Sequence, residues 1–153
     1  MDPTIEVRLF TDGGCSGNPG PGGWAFIVKH VTSGTRKSDS GGEPDTTNNR
    51  MELIAAIRGL EALKRPCVVE LVTDSEYVAK GLSTWMPAWK ARGWRKGKGA
   101  TGGREIKNLD LWQQLDALAS KHRVICTHVL GHAGHPENEE CDRMAVAAYQ
   151  RWL

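Results

Sequence analysis

No apolar run in this chain approaches the roughly 20 residues needed to cross a bilayer, which argues against a membrane-spanning helix. Nor does the sequence open like a secreted one. Residues 1–9 alternate charged with apolar side chains, where a leader would set a basic patch ahead of an apolar stretch. Cysteine is scarce and scattered: Cys15, Cys67, Cys126 and Cys141 form neither the dense framework of a disulfide scaffold nor a CxxC pair. The expectation is a soluble, cytoplasmic protein with reduced thiols. There is no internal repeat and no linker long enough to split the chain. One domain spanning residues 1–153 is expected, a length at which folding buries roughly 70% of the surface that an unfolded chain exposes.

Charge of either sign is nearly balanced overall, at net +2, but it is unevenly placed. Between residues 90 and 107, Lys90, Arg92, Arg95, Lys96, Lys98, Arg104 and Lys107 face only Glu105, a local charge of +6 that leaves the remainder of the chain at −4. A basic segment on an acidic body implies two jobs: one part attracts phosphates, the other gathers carboxylates.

Apolar periodicity gives the order of elements. Ile5, Val7 and Leu9 alternate like a strand that stops at Asp12-Gly13-Gly14; a glycine-rich link then leads to a second strand near Trp24–Lys29 and a third near Thr35–Gly41. Helical spacing of Leu53, Ile57 and Leu60 predicts a helix over Asn49–Lys64, closed by Pro66. The run Cys67–Thr73 is apolar enough for a strand covered on both faces, as in parallel sheets. A short helix beginning at Asp74-Ser75, helical signals over Ser83–Ala91 and Leu109–Ser120, a strand over Val124–Val129 and a last helix over Glu137–Trp152 complete the order β-β-β-α-β-α-α-β-α. That order implies an α/β (mixed α+β) protein, with a mixed sheet flanked by helices.

Two of four notable acids stand where such a sheet collects ligands. Asp12 and Asp74 each end an apolar strand, Glu52 lies in the first turn of the following helix, and Asp142 lies early in the last one. Each also has a purely structural explanation. Asp12-Gly13 is a common turn pair, Asp74 can cap a helix, Glu52 can complete a capping box with Asn49, and Asp142 can favour a helix N-terminal dipole. Periodicity alone does not bring the four together.

The motifs containing them do. Thr11-Asp12-Gly13-Gly14-Cys15 with Gly17-Asn18-Pro19-Gly20-Pro21-Gly22-Gly23, then Thr46-Thr47-Asn48-Asn49-Arg50-Met51-Glu52, then Thr73-Asp74-Ser75-Glu76-Tyr77-Val78, and finally the stretch from Gly131-His132-Ala133-Gly134-His135 to Cys141-Asp142 resemble the four signatures of bacterial type 1 ribonucleases H, in order and at similar spacing. The resemblance covers nearly the whole chain. It implies the ribonuclease H-like fold: a five-stranded mixed sheet, with an antiparallel meander β1-β2-β3 followed by parallel strands, and a basic protrusion. It also implies an endonuclease that hydrolyses the RNA strand of RNA·DNA hybrids, with little sequence preference, leaving 3′-hydroxyl and 5′-phosphate ends. By resemblance Asp12, Glu52, Asp74 and Asp142 are catalytic carboxylates and metal ligands, and His132 is a mobile histidine beside them.

Hydrolysis of a phosphodiester wants an activated water and neutralised charge, which two magnesium ions about 4 Å apart can supply; manganese is expected to substitute. Crowded carboxylates raise each other's pKa, so strict dependence on metal follows. In the resembling family, positions matching Gly13, Gly14, Cys15, Asn18, Asn48, Asn49, Ser75 and Glu76 touch the RNA strand; here Glu76 is an acceptor-only anion where some relatives carry a donor. Asn18, Thr47 and Arg50 match a pocket for a DNA-strand phosphate. The segment Trp85–Lys107 resembles the family's basic protrusion, with Trp85 and Trp94 at a DNA channel and Lys90, Arg92, Arg95, Lys96 and Lys98 on phosphates. Trp89 and Trp112 are expected to anchor their helices.

Rival readings exist. Cys126, His128, His132, His135 and Cys141 can be written as a zinc cluster, though not at zinc-site spacing. A DNA-directed nuclease or strand-transfer relative, and a hybrid-binding module without activity, share the fold. The short chain argues against the first and the intact acids against the second. The protein is expected to act as a monomer on its hybrid substrate. A single-strand DNA-binding protein is a further candidate partner, on which the residues are silent.

Overall fold

The computed structural model describes residues 4–94, 106–131 and 134–153. His132 and the protrusion residues Arg95, Lys96 and Lys98 lie outside the described residues, as does the tip Gly97 to Gly103.

Five strands form one mixed sheet: β1 (Val7–Cys15), β2 (Gly20–His30), β3 (Arg36–Thr46), β4 (Val68–Thr73) and β5 (Arg123–His128), in the order β3-β2-β1-β4-β5. β1 to β3 are an antiparallel meander, and β4 and β5 are added parallel to β1. The helices are α1 (Asn48–Glu61), α2 (Glu76–Lys80), α3 (Met86–Ala91), α4 (Leu109–Ala119) and α5 (Pro136–Tyr149). A π-helical turn over Gly81–Trp85 joins α2 to α3, so the helical signals after Asp74 form one continuous stretch. At its start Gly81 lies against the indole of the fully buried Trp112, where a Cβ would come within 1.8 Å of the ring.

The strands of the meander are longer than periodicity predicts. β1 runs through Asp12-Gly13-Gly14 instead of stopping there, and β2 starts at Gly20, because these glycines pair backbone to backbone, Gly13 with Trp24 and Gly14 with Gly23. Glycine gives a hydropathy pattern nothing to register, yet its N–H and C=O still complete the ladder.

Side-chain alternation divides the interior in two. Val7 and Leu9 of β1, Phe26 and Val28 of β2, and Val69 and Leu71 of β4 join α1 and α4 in the larger core. Phe10, Ala25, Ile27 and Val72 point to the other face, where α5 covers them with Cys141 and Ala145. Among the described residues no helix is long and apolar enough to cross a membrane.

At the pole where β4 and β5 begin, His122 accepts the Cys67 N–H on Nδ1 at 3.0 Å. Burial, helped by the charge of Lys121, lowers the pKa of this imidazole. A base whose folded pKa is depressed stabilises the fold above its unfolded value, about 6.5, and that contribution is lost as pH falls through the folded value. Urea titrations at pH 7.5 and pH 5 are therefore expected to show a smaller loss of midpoint for His122→Asn than for the parent. The asparagine oxygen can take the same N–H and does not titrate.

Candidate active site

The four acids come from four elements and meet where β1 and β4 end. The parallel register pairs Phe10 with Val72, so the same register carried two residues on sets Asp12 beside Asp74. Asp12 itself pairs with Ala25 inside the ladder and is 7% exposed. Its hydrogen-bond partner is Asp142, on α5, and the charges of both Asp74 and Asp142 bear on it. Glu52, near the start of α1, takes the Ser75 hydroxyl hydrogen bond and feels the charge of Asp74.

None of the four local explanations describes these positions. Asp12-Gly13 is strand, not turn. Helix α1 is capped by Thr47, whose hydroxyl accepts the Arg50 N–H, so Asn49 is not a cap and Glu52 completes no box. The cap of α2 is Ser75, not Asp74. Asp142 lies well past the first turn of α5, which holds Glu137 and Glu139 instead.

Two glycines let the helices come close enough. A Cβ at Gly13 would lie 2.4 Å from the Met51 carbonyl carbon and 2.5 Å from the Glu52 nitrogen, so only a bare Cα admits α1 at this depth. On the opposite face, a Cβ at Gly23 would lie 2.1 Å from the Ala145 carbonyl oxygen. Backbone contact at one seat carries Glu52 toward Asp12, and at the other it carries Asp142.

The electrostatics are those of crowded anions. Burial first, then the neighbouring acids, hold the Asp12 carboxyl far above the usual carboxylate range, against the opposing pull of the Gly13 N–H. Burial pushes Glu52 up to about 7, partly offset by Ser75. Among the described residues no three acidic, histidine or cysteine side chains form a preformed metal cage. Asp12 instead hydrogen-bonds Asp142, and Glu52 takes the Ser75 hydroxyl. The donor set is nevertheless all carboxylate oxygen, chemistry suited to a hard divalent cation and not to zinc or copper.

The zinc reading fails on geometry: Cys126 packs toward the larger core and Cys141 is buried under α5, on opposite faces of the sheet. The His128 ring instead meets the Asp74 carbonyl at 3.2 Å. All four cysteines are free.

Beside the acids, the Asn48 side-chain oxygen accepts the Cys15 N–H at 2.8 Å, and Asn18 accepts the Asn48 N–H at 3.2 Å. This lattice ties the β1–β2 turn, with Gly14 on its floor, to the start of α1. Asn49 is exposed. Glu76 is also exposed, and Lys80 one turn on holds it as an anion. Asn18, Thr47 and Asn49 line a cleft of about 380 Å³ with Lys107 and Asn108. Lys107 closes the basic segment, and Asn108 belongs to no motif but carries one signal: an asparagine directly before a helical pattern can take the left-handed backbone found here, φ 59°. Arg50 does not line the cleft; Glu43 engages it through two N–H donors.

Along the channel, Trp85 is half-buried and lines a cavity of about 330 Å³ with Tyr77, Trp89, Ile106 and Lys107. Trp112 is fully buried, donating to the Tyr77 hydroxyl at 3.0 Å, and Trp89 stacks edge-on against it. Trp94 packs on the core, Lys90 pairs with Asp116 at 3.0 Å, and Arg92 is exposed.

A model of the RNase H family matches residues 4–150. The chain belongs to the RNase H family. It is 57% identical over 147 residues to the ribonuclease H of Rhodopirellula baltica, covering 96% of this chain and 92% of that protein. It is 57% identical over 141 residues to the ribonuclease HI of Pseudomonas syringae pv. tomato, covering 92% and 89%. Among solved structures, LC9-RNase H1, a type 1 RNase H with the type 2 active-site motif, superposes with a TM-score of 0.82 at 34% identity, covering all of this chain and 76% of that one. As in the RNase H fold, the five-stranded mixed sheet here is flanked by helices.

Proposed function

We propose that this RNase H is an endonuclease that hydrolyses the RNA strand of RNA·DNA hybrids with two magnesium ions, leaving 3′-hydroxyl and 5′-phosphate ends. What carries the reading is the meeting of four carboxylates from β1, α1, β4 and α5 at one end of the sheet, in a protein of this family. Asp12, Glu52, Asp74 and Asp142 would hold the ions, manganese substituting for magnesium. When bound, such ions supply an activated water and neutralise charge on the scissile phosphate and leaving oxygen.

The chain's own groups do the rest. The buried Asp12 must give up the proton that it shares with Asp142, so cation binding and proton release are coupled. Ser75 holds Glu52 on the sheet side of α1. Gly13, Gly14, Cys15, Asn18, Asn48, Asn49, Ser75 and Glu76 would meet the RNA strand in the minor groove, where 2′-hydroxyls distinguish RNA from DNA. Asn18 and Thr47, with Arg50, would take a DNA phosphate; Trp85, Trp94, Lys90, Arg92, Arg95, Lys96 and Lys98 would follow the DNA strand without reading bases. His132, between Gly131 and Gly134 at φ 74° and 81°, would handle a proton near the leaving group. The protein would act as a one-domain cytoplasmic monomer, with a single-strand DNA-binding protein as a candidate partner.

The test offers labelled RNA·DNA hybrid, duplex DNA and duplex RNA to the purified protein, with magnesium or with chelator. Cutting confined to the hybrid's RNA strand and lost in chelator is expected. Cutting of duplex DNA would move the assignment to a DNA nuclease, and hybrid binding without cutting would reduce it to a binding module.

A further inference from the structure

Arg50 faces acids. Its Nε and Nη2 donate to the two carboxylate oxygens of Glu43 at 2.9 and 3.4 Å, and the charge of Asp110 at the start of α4 also bears on it. Glu43 reaches it from β3, where it pairs with Gly22 in the ladder. The adjoining cleft has its polar lining from Asn18, Thr47, Asn49, Lys107 and Asn108, all without Arg50. A guanidinium fork fits two phosphate oxygens, and a carboxylate fills the same fork with nearly the same geometry. Both partners are about one-third exposed, 36% for Arg50 and 33% for Glu43, so solvent and a competing anion can reach the pair.

We propose that Glu43 is an intramolecular stand-in for a substrate phosphate: it holds Arg50 off the cleft in the free protein, and a nucleic-acid phosphate gains Arg50 only by displacing it. Glu43 is then an affinity-setting residue, remote from the cutting chemistry. The inference rests on the hybrid-binding reading above and goes beyond it. Ion pairs this exposed are weak, so the effect is several-fold and not orders of magnitude.

A salt titration reads it. Equilibrium binding of an RNA·DNA hybrid, in chelator so that nothing is cut, is measured over a series of sodium chloride concentrations for the parent, Glu43→Gln, Arg50→Gln and the double variant. Glu43→Gln is expected to bind about fivefold tighter, with the slope of log K against log salt little changed, because a phosphate holds Arg50 in the bound state of both proteins. Arg50→Gln should cost several-fold more affinity in the Glu43→Gln background than in the parent, since only there is the fork free in advance. In magnesium, Glu43→Gln should lower KM with kcat unchanged. A tighter Glu43→Gln whose gain survives in the double variant would overturn the proposal, because removal of a negative charge alone would then explain it. So would unchanged or weaker binding by Glu43→Gln, the result of a merely structural pair. A parent that binds no hybrid takes down the functional reading as well; a parent that binds, with Glu43→Gln no tighter, takes down this inference alone.

Discussion

Asp12→Asn is expected to abolish cleavage while making the metal-free protein harder to melt. The loss should be at least about a thousandfold in kcat, the scale of removing one preorganised charged group from a reacting centre. The gain in stability comes from the same carboxylate. Asp12 is 7% exposed and bears the charges of Asp74 and Asp142, against which the Gly13 N–H pulls. Asparagine keeps the shape and takes up no proton on folding. Relief of about 2 kcal/mol is reasonable for such a group, or roughly 5 °C in melting temperature at this chain length. The sign with pH is fixed. A carboxyl whose folded pKa is raised supports the fold below its unfolded value of about 3.9, and that support drains away as pH rises toward the folded value. The melting advantage of Asp12→Asn in chelator should therefore widen from pH 5 to pH 8. A variant that melts lower than the parent at pH 8 would mean that Asp12 is paid back by contacts the cluster does not contain.

Gly13→Ala should be almost as damaging, without touching any charged group. The added methyl would sit 2.4 Å from the Met51 carbonyl carbon and 2.5 Å from the Glu52 nitrogen, both backbone atoms that no rotamer change can move aside. Helix α1 must lift from β1, and Glu52 lifts with it. Overpacking of this kind costs about 3 kcal/mol, and a catalytic group displaced by about 1 Å costs on the order of a hundredfold in rate. Gly34→Ala is the control. That glycine has φ +74° with nothing within 4 Å of a Cβ, so it should lose only about 1 kcal/mol of left-handed strain and keep its cleavage rate. Denaturation midpoints and hybrid cleavage at saturating substrate check both. Equal rates for Gly13→Ala and the parent would show that the seat does not position Glu52.

How much of this was written in the sequence differs by residue. The apolar runs around Leu9, Ile57 and Leu71 placed three elements of the core, because burial on one or two faces leaves a period that can be counted. The glycine stretch from 13 to 23 misled, since bare backbone pairs in a ladder while leaving no trace in a hydropathy pattern. The π turn over Gly81–Trp85 begins at a glycine seated on the ring of Trp112, a contact no local window contains. The acids were legible as motifs, not as a site. For Glu52 and Asp74 another residue does the local work attributed to them, Thr47 and Ser75 being the caps, and the convergence of the acids depends on a parallel register between residues 10 and 72. Arg50 taught the reverse lesson: its motif predicts an open fork, and only the ladder position of Glu43 reveals that the fork is filled.

Helix α5 is the last long element in chain order, and it does two things at once: it supplies Asp142 and it roofs Phe10, Ala25, Ile27 and Val72. A ribosome-bound chain that has not yet released Pro136–Tyr149 therefore lacks both the fourth acid and the cover of the smaller of its two cores. Covering the second face and bringing Asp142 to the other acids are then one docking event, which cannot precede release of α5 from the ribosome.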